Sequence, residues 1–159
     1  MPTLYFLIGL PCSGKSTWVN NRNIADNSAI IASTDVHIEK YAASINKTYQ
    51  EVYYDVIKLS TKMMKESIRY AIDNDMDIYW DQTNLSPTAR GKKLRSIPNN
   101  YKKIAVVFVI DDDIEYSARL ANRIEKPISD HILTKMKLYF QMPTLAEGFD
   151  EIITIKDHQ

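Results

Sequence analysis

Gly9-Leu10-Pro11-Cys12-Ser13-Gly14-Lys15-Ser16 reads G-x-x-x-x-G-K-S without a gap. The spacing has a physical reason. Glycines at both ends let the chain curl until successive backbone N–H groups point inward at a phosphate. Lys15 adds a point charge for β- and γ-phosphates, and the Ser16 hydroxyl suits Mg²⁺. Such a loop needs a strand before it and a helix after it, whose positive end faces the same anion. Tyr5-Phe6-Leu7-Ile8 supplies the strand and Thr17-Trp18-Val19 continues the helix. Gly9, Pro11, Cys12, Ser13, Gly14, Lys15, Ser16 and Thr17 are therefore the candidate nucleotide-binding residues. A thiol at a helix start can be redox-active or bind metal. With no second cysteine in the chain, Cys12 is better read as a small loop residue.

Outward from this loop, short apolar runs alternate with amphipathic stretches. Residues 29–32 (Ala-Ile-Ile-Ala) read as a second strand, with Asp35 just beyond its end. Between residues 49 and 74, Val52, Val56, Ile57, Met63, Met64, Ile68 and Ile72 recur at helical spacing, which predicts one long helix or two broken ones. Ile78-Tyr79-Trp80 is a third strand ending at Asp81. Ser86-Pro87 marks an N-cap and first helical position, opening a helix over 87–96. Residues 104–110 are apolar throughout, as a strand buried on both faces requires. Helices are expected over 112–124 and 129–141, around a turn at Glu125-Lys126-Pro127, and a last strand over 152–155. This alternation predicts an α/β fold of the P-loop NTPase kind: a mostly parallel sheet of about five strands, helices on both faces and a short helical lid.

The 159 residues suit one domain, spanning 1–159. Apolar residues make up 45% and charged ones 25%, which excludes disorder and collagen-like structure. Twenty basic residues balance twenty acidic ones, so no bulk positive field marks a general nucleic-acid coat. The single cysteine suits a reducing, cytoplasmic compartment. No apolar run approaches the ~18 residues of a membrane span, and none has the flanks of a signal peptide. The expectation is a soluble protein that keeps its N-terminus.

Several residues beyond the loop carry candidate chemistry. In a doubly wound sheet, ligands gather at the carboxyl ends of the strands. Asp35 lies there and has the residue type to accept a proton from an attacking hydroxyl; a helix N-cap is the competing role. Asp81 ends its strand where a Mg²⁺-binding acid often sits, and Gln82, Thr83 and Asn84 follow it as polar groups for the same cleft. Capping of the next helix is the alternative. Arg119 and Arg123 share a helix face and are candidates to close over phosphates, against a merely solvated face. Arg90, Lys92, Lys93 and Arg95 make a basic helix suited to a phosphate backbone, or simply a soluble surface. Asp111-Asp112-Asp113 superficially suggests an aspartyl-phosphate phosphatase, but Glu115 stands where such a motif wants Thr or Val. Helix-dipole stabilisation explains those acids. His37, His131 and His158 show no metal-ligand spacing.

Taken together, the loop, Asp35, Asp81-Gln82-Thr83-Asn84-Leu85 and the Arg119/Arg123 pair resemble the P-loop kinases of the polynucleotide kinase type, in particular their phage 5′-kinase domains. The segment from Pro143-Thr144 to Glu147-Gly148-Phe149-Asp150 recurs in that group too. The resemblance implies ATP and Mg²⁺ as cofactors, held by Lys15 and Ser16, with Asp35 as general base and Arg119 and Arg123 as lid residues. It departs where the group carries arginines flanking the acid: here Thr34 and Ile38 stand instead. The implied function is transfer of the γ-phosphate of ATP to a hydroxyl, with the 5′-OH of a nucleic acid as leading acceptor and Asp35, Thr83, Asn84 and Arg90 facing it. A hydroxymethylated base in phage DNA, a metabolite or antibiotic alcohol, and a nucleotide-binding module with no acceptor are the alternatives. A phage origin would place it in the host cytoplasm.

Overall fold

A computed structural model describes residues 1–22, 28–124 and 126–156. Five strands form the sheet: β1 (Thr3–Ile8), β2 (Ala29–Ala32), β3 (Asp77–Trp80), β4 (Lys102–Val109) and β5 (Glu151–Lys156). Their spatial order is β2-β3-β1-β4-β5, and every neighbouring pair is parallel. The α/β fold expected from the alternation is what forms, and the sheet is wholly parallel.

The side chains of β1 show why both faces must be covered. Leu4, Phe6 and Ile8 enter one core layer with Ile78, Trp80, Ala105 and Val107. Leu7 enters the other, with Tyr79, Val106 and Phe108. This is the two-residue alternation of a strand, apolar on both sides. The first layer is closed by Met64, Ile68 and Ala71 of α3 (Tyr49–Asp73) and Leu94 of α4 (Pro87–Leu94). The second is closed by Trp18 and Val19 of α1 (Lys15–Asn20). Helix α3 is one unbroken helix of 25 residues, started by a reciprocal capping box between Thr48 and Glu51.

Two elements go beyond the sequence expectation. Helix α2 (Thr34–Ser44) follows β2 directly. It buries only Ile38 and Ala42, against Val52 and Val56 of α3, so its apolar signal is too sparse to read alone. A 3-10 turn at Leu145–Glu147 precedes β5. Helix α5 (Asp113–Ala121) ends earlier than the 112–124 expected, which leaves Arg123 beyond its C-cap, Asn122. Helix α6 (Asp130–Tyr139) follows. Of the expected turn at 125–127, Glu125 lies outside the described residues, as does His158.

The basic helix is not a nucleic-acid surface as a whole. Arg90 of α4 has 0% of its surface exposed. Its Nε and Nη2 donate to the two carboxylate oxygens of Glu147 at 2.7 and 3.2 Å. Its Nη1 donates to the carbonyls of Asn84, Leu85 and Gln141, each at 3.0 Å. A guanidinium so enclosed cannot face a substrate, and the acceptor-binding expectation for Arg90 is corrected. Lys93 is also turned inward, onto the side-chain oxygens of Gln82 and Asn84, and burial pushes its pKa down to about 8. Lys92 and Arg95 remain exposed.

The Arg90 hub also explains the C-terminal motif. Thr144 and Glu147 form a second capping box, Gly148 takes a φ of 111° to turn the chain, Phe149 enters the core, and Asp150 accepts the Lys103 N–H at 2.7 Å. Burial raises the Glu147 pKa, but Arg90 and the Thr144 N–H outweigh it and hold the carboxyl below its ordinary range. The contribution of Glu147 to stability is therefore present above pH 4.5 and is lost as pH falls through the lowered folded value. Arg90→Met should cost about 3–5 kcal/mol in denaturant unfolding at neutral pH, because it strands a carboxylate and three carbonyls. That deficit should shrink in acid as Glu147 takes a proton. A loss under about 1 kcal/mol, in the range of an exposed ion pair, would show that the hub does not hold the C-terminal segment.

Candidate functional site

Strands of a parallel sheet all end on one edge, so β1, β2 and β3 deliver their following loops to one place. Two backbone bonds tie these ends together: the Gly9 N–H donates to Thr83 O at 3.0 Å, and the Asp81 N–H to Ala32 O at 2.9 Å. Within the loop, Cys12 (φ 60°) and Gly14 (φ 97°) take left-handed conformations, which turn the N–H groups inward. Gly9 is required by contact, since a Cβ there would meet Ser13 Oγ at 2.8 Å and Phe108 Cβ at 3.0 Å. At Gly14 an added Cβ meets no atom within 4 Å, so the mouth of the loop is open. Helix α5 braces the loop from outside: the Tyr116 hydroxyl donates to Pro11 O at 2.7 Å and Arg119 Nη1 to Cys12 O at 3.2 Å.

Lys15 is buried at the base of this loop, its ammonium donating to Gly9 O at 3.0 Å and Leu10 O at 2.8 Å. Burial pushes its pKa down to about 8; Arg123 lowers it further, while Asp81, Cys12 and Asp35 pull it up. The Ser16 hydroxyl donates to Asp81 Oδ2 at 2.8 Å. Burial raises the Asp81 pKa, opposed by that hydroxyl and by Lys15. One hydroxyl and one carboxylate side by side, next to a phosphate loop, are the donor set a Mg²⁺ accepts when it keeps its remaining waters and phosphate ligands. The residues present thus fit the metal. Among the described residues no cluster of three or more His, Cys, Asp or Glu offers a separate metal cage.

Two clefts meet at the loop. One, of ≈ 680 Å³, runs over Gly14, Thr17 and Trp18 toward Arg119 and Lys156. The other, of ≈ 720 Å³, is lined by Lys15, Ser16, Asp81, Thr83, Asp35, Arg123 and Lys126 among others. Arg119 and Arg123 are therefore brought to the same loop residue but to different clefts, with Arg123 Nη1 at 3.8 Å from Cys12 Sγ.

Asp35 sits in the first turn of α2, whose N-cap is Ser33. Among the described residues its carboxylate makes no helix-cap hydrogen bond. Oδ1 accepts the Tyr49 hydroxyl at 2.7 Å and Oδ2 faces the Lys126 ammonium at 3.4 Å. Lys126 also pairs with Glu39. Asn84 is corrected: with φ 49° and 2% exposure, it donates to Leu7 O at 2.7 Å and accepts from Lys93, a linchpin of the loop and not a cleft residue. Thr83 does line the cleft. The sequence reading missed Tyr49, Glu39 and the placing of Lys126. The Thr48-x-x-Glu51 box announces a helix start at Tyr49, but nothing in the sequence says that α2 and α3 lie side by side.

Among the described residues no helix is long and apolar enough to cross a membrane. Among solved structures, a candidate kinase from Chloroflexus aurantiacus J-10-fl superposes with a TM-score of 0.66 at 15% identity, over 98% of this chain and 85% of that one. A gluconokinase from Sinorhizobium meliloti 1021 gives 0.56 at 14%, over 99% and 83%. A chain of the Pnkp1/Rnl/Hen1 complex gives 0.57 at 21%, over 94% of this chain but 43% of that one. At these identities the likeness is one of fold, and this chain has a kinase-like P-loop α/β fold. A family model described as an AAA domain matches residues 4–143, and the chain belongs to that family.

Proposed function

We propose that the protein is an ATP-dependent kinase that phosphorylates a hydroxyl, with the 5′-OH of a nucleic acid as its acceptor. The observation that carries this reading is the shared cleft, which Lys15, Ser16, Asp81 and Asp35 all line. A switch or binding module needs no second carboxylate residue in the same cleft as the phosphate loop. The anionic character of the acceptor is supported by Lys126. Ile38 is fully buried among Ala42, Val52 and Val56 and offers no charge, yet a cation reaches Asp35 from the α5–α6 connection.

In this mechanism Lys15 leaves the two loop carbonyls for the β- and γ-phosphates. Arg119 and Arg123 close on the donor from either side of Cys12 and offset charge that grows in the transition state. A Mg²⁺ held by Ser16 and Asp81 would supply further charge neutralisation on the phosphate oxygens. Asp35 accepts the acceptor's proton on Oδ2 as the new O–P bond forms and ADP departs. Before that, Lys126 must move off Oδ2, and a phosphate carried by the acceptor is a fit exchange partner for it. A metabolite alcohol is the second reading, favoured by the inward turn of Arg90 and Lys93, which removes half the basic helix from any backbone contact.

Labelled ATP offered with a 5′-OH oligonucleotide, hydroxymethylated duplex DNA and a panel of small alcohols separates these readings. Label in the oligonucleotide is expected; label only in a small alcohol would move the acceptor, and hydrolysis alone would end the kinase reading. Asp35→Asn should lower kcat by about 10²–10⁴ with ATP affinity unchanged; full turnover in that variant would remove Asp35 from the chemistry. The lowered Lys15 value sets a pH signature. Phosphates favour the charged ammonium, so its pKa must rise when ATP binds. Calorimetry at pH 8.5 in buffers of different ionisation enthalpy should therefore show net proton uptake, absent in Lys15→Met. Equal uptake in both proteins would place the titrating group elsewhere.

A further inference from the structure

We infer that Tyr49 is a positioning residue for the proton-accepting carboxylate, holding one oxygen of Asp35 so that only the other meets the acceptor. This rests on the reading of Asp35 as general base and names what orients it.

A carboxylate in the first turn of a helix rotates about two side-chain bonds, and a base is effective only when one oxygen lies within hydrogen-bond reach of the proton it takes. Something must stop that rotation. The Tyr49 hydroxyl does so from behind, donating to Oδ1 at 2.7 Å. Asp35 lines the 720 Å³ cleft, whereas Tyr49 stands outside its walls. Oδ1 is thereby turned toward α3, and Oδ2 toward Lys126 and the cleft.

The tyrosine is itself held. It is the first residue of α3, enclosed by the Thr48–Glu51 capping box, so its backbone is pinned. Its ring packs on Tyr53 with centroids 5.7 Å apart and lies under the Lys126 ammonium at 4.9 Å. It also joins the small core between α2 and α3 formed by Ile38, Ala42, Val52 and Val56. That core is what couples the two helices, and it is where Ile38 spends its side chain. Burial first, then Asp35, raises the Tyr49 pKa above its ordinary value. The phenol therefore stays protonated across the working range and is a donor at every pH that matters. It can donate in both charge states of Asp35, but more strongly to an oxygen of the carboxylate than to the carbonyl oxygen of the neutral acid, so the bond favours the ionised form.

Tyr49→Phe keeps the ring and removes only the donor. With the acceptor that takes label, kcat should fall on the order of tenfold, the scale of a hydrogen bond to a charged group, with KM for ATP unchanged. Loss of a donor to the ionised form also moves the acidic limb of the kcat/KM profile to higher pH, which a merely structural change would not do. Tyr53→Phe, whose hydroxyl makes no hydrogen bond among the described residues, is the control and should behave as wild type. If Tyr49→Phe unfolds, 3-fluorotyrosine at position 49 keeps the shape while altering the donor, and the same limb should shift. A wild-type rate and pH profile in a folded Tyr49→Phe, or in the fluorinated protein, overturns the inference while leaving Asp35 as base. Full turnover in Asp35→Asn would instead overturn the reading beneath it.

Discussion

The placing of β1 at the middle of an all-parallel sheet is the constraint from which the rest of the molecule follows. Its neighbours are β3 on one side and β4 on the other, so the chain leaving Ile8 emerges where crossovers depart to both flanks of the sheet. That divergence opens the crevice in which ligands of doubly wound sheets gather. The loop at Gly9–Gly14 fills its floor, and the ends of β2 and β3 present Asp35 and Asp81 above it. A strand at an edge could not collect these groups. The backbone bonds from Gly9 to Thr83 and from Asp81 to Ala32 hold the three strand ends in a fixed relation.

Two polar networks keep the edge rigid, and they do so by burying charge. Arg90 donates five hydrogen bonds, to two carbonyls of the β3–α4 loop, to the Gln141 carbonyl just past α6 and to both carboxylate oxygens of Glu147. A guanidinium can do this because its donors form a planar fork. Next to it, Lys93 faces amide oxygens of Gln82 and Asn84 and lies over the Trp80 ring at 5.5 Å. Together they fix the segment after Asp81, and with it the wall of the cleft, from the side away from solvent. Two of the four positive charges that look like a nucleic-acid surface in the sequence, Arg90 and Lys93, hold a loop instead.

On the cleft side the charges are arranged in opposition. Lys15 and Arg123 stand near Asp81 and Asp35, and Lys126 joins Asp35 with Glu39. Without substrates Lys15 rests on the Gly9 and Leu10 carbonyls, Lys126 on two carboxylates, and Arg123 against the Cys12 sulfur. In the proposed reaction, phosphates entering from the donor or acceptor side would exchange for those partners, so binding would trade one set of charge contacts for another. The lysine that closes the loop onto Gly9 and Leu10 keeps the cradle shaped in the meantime.

Local patterns in the sequence were enough for the strands, the loop and the helical character of 49–74, though not for whether that stretch is one helix or two, because each depends on residues near one another: a run of apolar side chains, apolar positions at helical spacing, two glycines at fixed spacing. They also placed Asp81 directly after β3 and Asp35 shortly past β2, at the edge where the strands end. They could not reach α2, whose buried face is two residues wide, nor the end of α5 short of Arg123. Only the tertiary structure decided which charges look outward. Arg90 and Lys92 are two positions apart and chemically alike in the sequence, yet one is sealed against Glu147, 57 residues on, and the other is in water. It also decided what stands beside Asp35. Tyr49 is 14 residues away and Lys126 is 91; their meeting depends on how α2 packs on α3 and where the α5–α6 connection folds back. Those are sums over many weak, distant contacts, and no short stretch of sequence contains them.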